Sequence, residues 1–143
     1  MTKLSKIQSK TLSEFVFSLR FFEQNLKLSI SAITQKGGAA DENDGLDIIT
    51  RVDSLNSVLQ DARDFIESIK DEIEAYIDAR SDIWKEGDRG VAFQNWLEEF
   101  QDIDLEELDL DYVAEYLTPE RPSDPIVLDY SDLIEALPSE PSF

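Results

Sequence analysis

Neither cysteine nor histidine occurs anywhere in the 143 residues. Without thiols there is no disulfide framework and no thiolate nucleophile, which agrees with a cytoplasmic location. Without imidazole, the Ser-His-Asp and Cys-His triads, haem ligation by histidine and the Glu-x-x-His di-iron pattern are excluded, and structural zinc loses both of its usual ligands. Glycine and proline are scarce, five of each, and every proline falls after position 118. No run approaches the ~18 apolar residues of a membrane span, and the opening MTKLSKIQSKTLSEF has no h-region of a secretory signal.

Positive charge is also in short supply. Thirteen Lys and Arg face 32 Asp and Glu, for a formal charge of −19. Such self-repulsion favours solubility and disfavours non-specific binding to nucleic acid or anionic membrane, so a basic macromolecule is the electrostatic complement. The imbalance is uneven. Residues 1 to 40 carry a net +4 and the remainder −23, while residues 98 to 143 hold fifteen carboxylates and only Arg121.

The chain has 41% hydrophobic residues, enough for one core. Steps of three and four from Ile48 reach Val52, Leu55, Leu59, Ala62, Ile66, Ile69, Ile73, Tyr76, Arg80 and Ile83, and only Arg80 breaks this heptad seam. The spacing predicts a long helix over 46–86. A helix over 4–35 precedes it, with Leu12, Phe15, Leu19, Phe22, Leu26 and Ile33 on one face and Val16, Phe17, Phe21 and Leu28 widening the stripe. Gly37 and Gly38 suit a C-terminal cap, and Asp44 or Asp47 can cap the second helix. An antiparallel hairpin of a basic first helix on an acidic second one is the expected frame.

After the break EGDRG, Phe93, Trp96, Leu97 and Phe100 follow at helical spacing. Asp104 and Glu107 form a D-x-x-E arrangement that predicts a further helix from 104 to Thr118, before Pro119. The fold class expected is therefore all-α: a helical domain over 1–118, then an acidic Pro-containing tail over 119–143. Within that tail Ser131 would cap one short amphipathic helix bearing Leu133, Ile134 and Leu137.

Most site motifs fail on inspection. In DENDGLDIITRVD the glycine falls fifth from Asp41, where a calcium loop needs it sixth, and Thr50 and Arg51 stand where the closing glutamate belongs. The Gly-Gly pair lacks the Lys-Ser/Thr of a phosphate loop. Carboxylate pairs at catalytic separations are uninformative among 32 acids, so no catalytic residue, metal or cofactor is expected. Trp84, Phe93, Trp96 and Phe100 fit either a core or an exposed anchor, and core packing is the commoner use. Leu133, Ile134 and Leu137 fit either a docking helix or one that folds back onto the first helix.

The acidic run is the feature left over. Glu98, Glu99, Asp102, Asp104, Glu106, Glu107, Asp109, Asp111 and Glu115 occupy a stretch with no basic residue between Arg89 and Arg121. On a continuous helix they would give one charge per ~3.3 Å, near the ~3.4 Å phosphate spacing of one DNA strand. Helices commonly relieve such density with i,i+4 Glu-Lys pairs, and this stretch does not. It serves either a basic partner or solubility.

Arg80, Ser81, Asp82, Trp84, Asp88, Arg89, Gly90, Phe93 and Gln94, in RSDIWKEGDRGVAFQNWL, form a phrase that resembles one recurring at the end of coiled-coil helices in uncharacterised small proteins of phages and mobile elements. The resemblance covers about an eighth of the chain and brings no activity. It implies a helix-turn-helix corner and a phage or mobile-element setting, where small acidic helical proteins often inhibit host defence by imitating DNA. The expectation is a non-enzymatic inhibitor of a basic, nucleic-acid-binding protein. The alternative is a coiled-coil adaptor or homodimer acting through the heptad seam or the apolar tail.

Overall fold

The computed structural model describes residues 1–36 and 40–143, and every regular element among them is helical. Gly37 and Gly38, expected as a cap, lie outside the described residues. Helix α1 spans Lys6–Gln35 and α2 spans Glu42–Asp78. They are antiparallel: Gln8 bonds Glu72, the Phe15 and Phe65 rings lie 5.9 Å apart, and Lys36 Nζ meets Asp44 Oδ1 at 2.8 Å. Each starts with a reciprocal capping box, Ser5 with Gln8 and Asp41 with Asp44. Asp41 is therefore the cap of α2, in place of the expected Asp44 or Asp47, and the calcium-like stretch is the first turns of a helix.

The seam of α2 is buried at Ile48, Val52, Leu55, Leu59, Ala62, Ile66, Ile69 and Ile73, then at Ile77. Beyond it the expected helix fails. Tyr76 is half-buried, Arg80 and Ile83 are exposed, and α2 stops at Asp78. The reason is local: Ser81 Oγ accepts the Trp84 N–H at 3.2 Å and starts a new helix, α3, over Asp82–Glu86. Gly87 ends α3 and begins α4, Asp88–Gln101. At Gly90 an added Cβ would sit 2.3 Å from the Trp84 carbonyl oxygen, so this corner admits only glycine.

Helix α4 packs on α2. Phe93, Trp96, Leu97 and Phe100 are buried, with Phe93 stacked on Tyr76 at 5.2 Å and flanked edge-on by Trp84 and Trp96. The aromatic cluster is thus core.

The helix expected from Asp104 is absent. Residues 102–109 are irregular, and α5 is only Leu110–Ala114, continued by a 3-10 turn over Glu115–Leu117 that ends before Pro119. The competing bonds come from α2: Asn56 Nδ2 donates to the Leu108 carbonyl at 3.0 Å, the Leu108 N–H donates to Asn56 Oδ1 at 2.8 Å, and Arg63 Nη1 donates to the Leu105 carbonyl at 3.0 Å. Asp104 spends its side chain on the Glu106 N–H two residues on, a turn geometry that opposes helix.

The Pro-containing segment lies on the helices. Ile126 and Leu128 are buried, α6 over Tyr130–Glu135 packs on α1, the Leu4 N–H donates to the Ser139 carbonyl at 2.8 Å, and Trp96 Nε1 donates to the Pro138 carbonyl at 2.9 Å. Ser131 is not the cap of α6. Its N–H donates to Glu23 Oε1 at 3.2 Å, so a carboxylate of α1 satisfies the start of α6 while the N-cap Asp129 makes no side-chain bond.

Candidate acidic partner interface

All nine carboxylates of the run are exposed, and among the described residues none of them forms an ion pair. Their supports differ along the run. Glu98 and Glu99 stand on the outer side of α4, whose inward side is Trp96, Leu97 and Phe100. Asp102 caps the C-terminus of α4, which has no basic residue in its last turn, so its charge adds to the negative end of the helix dipole. Asp104, Glu106, Glu107 and Asp109 project from the irregular stretch, anchored by the burial of Leu105 and Leu108 against α2. Asp109 caps α5 through the Asp111 N–H at 2.9 Å, and Glu115 follows at its end.

No basic side chain of α2 forms an ion pair with this surface, although Arg63 lies beside Asp102, Asp104 and Glu106. Arg63 is directed to the Leu105 carbonyl and to Gln60, Lys70 pairs with Glu67, and Arg51 pairs with Asp47. Tyr130 lies half-buried near one member of the run, Asp104. Burial above all, then the nearby Asp104 and Asp129, push its hydroxyl up to about 12. A comparable rise to about 12 at Tyr116 has another main cause, its hydrogen bond with Tyr112.

The two groups of candidate residues converge in one place. Glu98, Glu99 and Asp102 edge an open cleft floored by Ala92, Ile103, Leu133 and Leu137. Leu133 and Leu137 are half-buried there, whereas Ile134 is buried against the rest of the chain and presents nothing to solvent. Asp104 to Glu115 continue the acidic surface away from the cleft. Asn56 and Arg63, which fix the backbone of the run, carried no signal in the sequence, because their partners lie 52 and 42 positions away.

Glu23 also escaped the sequence reading. It is 2% exposed, and its Oε2 has no partner. Burial raises its pKa, against the Ser131 bond and Lys27, which lower it. Its position was nonetheless legible: the buried residues of α1 are Leu12, Val16, Leu19, Glu23, Leu26, Ile30 and Ile33, a series in which a carboxylate occupies a core register.

Among the described residues no group of three or more acids is arranged to hold a metal ion, and no helix is long and apolar enough to cross a membrane. Comparison with protein-family models, with curated proteins and with solved structures finds no match to this chain.

Proposed function

We propose that this chain is a non-enzymatic interaction protein whose acidic surface engages a basic protein, one that uses the same surface to bind nucleic acid. The observation that carries the reading is the set of nine exposed carboxylates, none in an ion pair among the described residues, beside an α2 whose Arg51 and Lys70 pair within their own helix and whose Arg63 is bonded to a backbone carbonyl. A solubilising surface needs no fixed backbone, yet this one is pinned to α2 at Leu105 and Leu108. The run does not have the phosphate spacing of a regular helix, since residues 102–109 are not helical. Competition with nucleic acid would rest on the summed field and on the apolar cleft beside Glu98, Glu99 and Asp102. The resemblance of the Arg80–Leu97 phrase suggests a phage or mobile element as the setting, a host-defence protein as the target and the cytoplasm as the place of action.

The experiment is affinity capture at low and high ionic strength, repeated with added duplex DNA and with an Asp104→Lys, Glu107→Lys, Asp111→Lys variant. The captured protein should be basic, should be displaced by DNA, and should be lost at high salt and with the variant. Binding indifferent to salt rules the mechanism out.

The adaptor reading retains Leu133 and Leu137 of the tail, half-buried at the open cleft, but not its other surfaces. The α2 seam is buried and Ile134 is consumed within the chain.

A further inference from the structure

One face of α1 is left without a partner. Ile7, Phe17, Phe21 and Leu28 are 77%, 76%, 56% and 66% exposed. With Lys10, Glu14, Gln24 and Ser31 they form an unbroken three-and-four series, 7, 10, 14, 17, 21, 24, 28, 31, in which every residue is exposed. α1 therefore carries two seams. The inner one, from Leu12 to Ile33, meets α2 and α6, and the outer one faces solvent along ~36 Å at ~1.5 Å per residue. Aromatic and aliphatic side chains repeated at heptad spacing on one open helix face are the pattern of a helix-helix interface.

We propose that this outer seam is a homodimer interface, in which α1 of two copies pack antiparallel about a two-fold axis near Phe21. Charge selects a second copy over a foreign partner. The seam bears one cation, Lys10, and one anion, Glu14, so it offers no net charge to a strongly acidic or basic macromolecule. A copy brings the same neutral face. Approach through α1 also keeps the two acidic runs from being set against each other, because they belong to other elements. A two-fold axis makes the contact self-complementary, with Phe17 of each copy over Leu28 of the other and the Phe21 rings at the centre. In this register the exposed parts of Phe17, Phe21 and Leu28 from each copy form the apolar centre of the contact, while Ile7 lies beyond the overlap of the two α1 helices. The acidic runs would then remain free on both copies, and the dimer would present two of them.

The test is light scattering on the full chain at high micromolar concentration, for the native protein and for a Phe17→Glu, Phe21→Glu variant. Both side chains are exposed, so the variant keeps its helical circular dichroism. The native protein should show twice its 16.3 kDa mass and the variant should show one. Added salt should strengthen the dimer by screening like charges, the opposite of its effect on an oppositely charged partner. Because the chain has no cysteine, a single Gln24→Cys should be cross-linked between copies by a short bis-maleimide, and Ser57→Cys on α2 should not. A monomeric native protein overturns the proposal, as does a dimer that survives the double substitution or that cross-links at 57 and not at 24.

Discussion

At Glu23 a single carboxylate joins two helices that are far apart in sequence. Its Oε1 satisfies the start of α6 and its Oε2 satisfies nothing. Burial is the largest influence and Asp132 on α6 acts with it, against the bonds to Ser131 and the charge of Lys27, so the Glu23 pKa lies above the ordinary 4.5. Folded protein therefore holds this proton to higher pH than unfolded protein does. The stability difference between states must fall as pH rises from 4.5 through the raised value, and stay lower above it. Glu23→Gln keeps an acceptor for Ser131 and removes that dependence. Its melting temperature relative to the native protein should climb between pH 4 and pH 8, and a gap that does not change with pH would contradict the assignment. The Asn56 amide pairs with both the N–H and the carbonyl of Leu108. Asn56→Ala strands two partly buried backbone groups at about 1–3 kcal/mol, measurable by urea unfolding together with faster hydrogen exchange at Leu108. Exposure of the nine acids was legible because unpaired charge does not bury. The partners of Asn56 and Arg63 were not, because a polar residue on a helix surface does not announce which distant backbone it will meet.

Among the elements, periodicity served wherever packing alone decides the structure. The α2 seam from Ile48 to Ile73 is buried throughout, and the all-α hairpin follows from it. It failed where a short hydrogen bond outbids the pattern. Ser81 starts α3 three residues after α2 ends, although Ile83 would have kept the heptad step. Likewise the D-x-x-E at Asp104 did not make a helix, since Asn56 and Arg63 had already claimed the Leu105 and Leu108 backbone. The α3–α4 corner depends on Gly90, where three backbone atoms of Trp84 and Lys85 lie within 2.5 Å of an added Cβ. None of these can yield by a rotamer change, so Gly90→Ala should destabilise by about 1–3 kcal/mol or more. The accompanying signature would be altered fluorescence from Trp84, whose ring sits against Tyr76 and Phe93.

Across the whole molecule, the charge asymmetry read from the sequence survives folding: α1 keeps the net positive N-terminal charge, and the acidic run stays outside and unpaired. What composition could not disclose is how the last residues return. The bond between Ser131 and Glu23 spans 108 positions, while α1 ends at Gln35 and α2 already begins at Glu42. Closing a long loop is entropically later work than closing a short one. Assembly should then proceed with the α1–α2 pair first and α6 last, leaving Leu12 and Val16 of α1 uncovered in the interval. A side chain that is absent from the rate-limiting structure affects how fast the protein comes apart and hardly how fast it forms. Ile134→Ala, which empties a buried site at the end of this sequence of events, should accelerate unfolding about in proportion to the 2–5 kcal/mol typical of such truncations, with the refolding rate nearly unchanged in stopped-flow traces. The docked segment is in that sense a latch: it sets the lifetime of the native state more than the speed of reaching it.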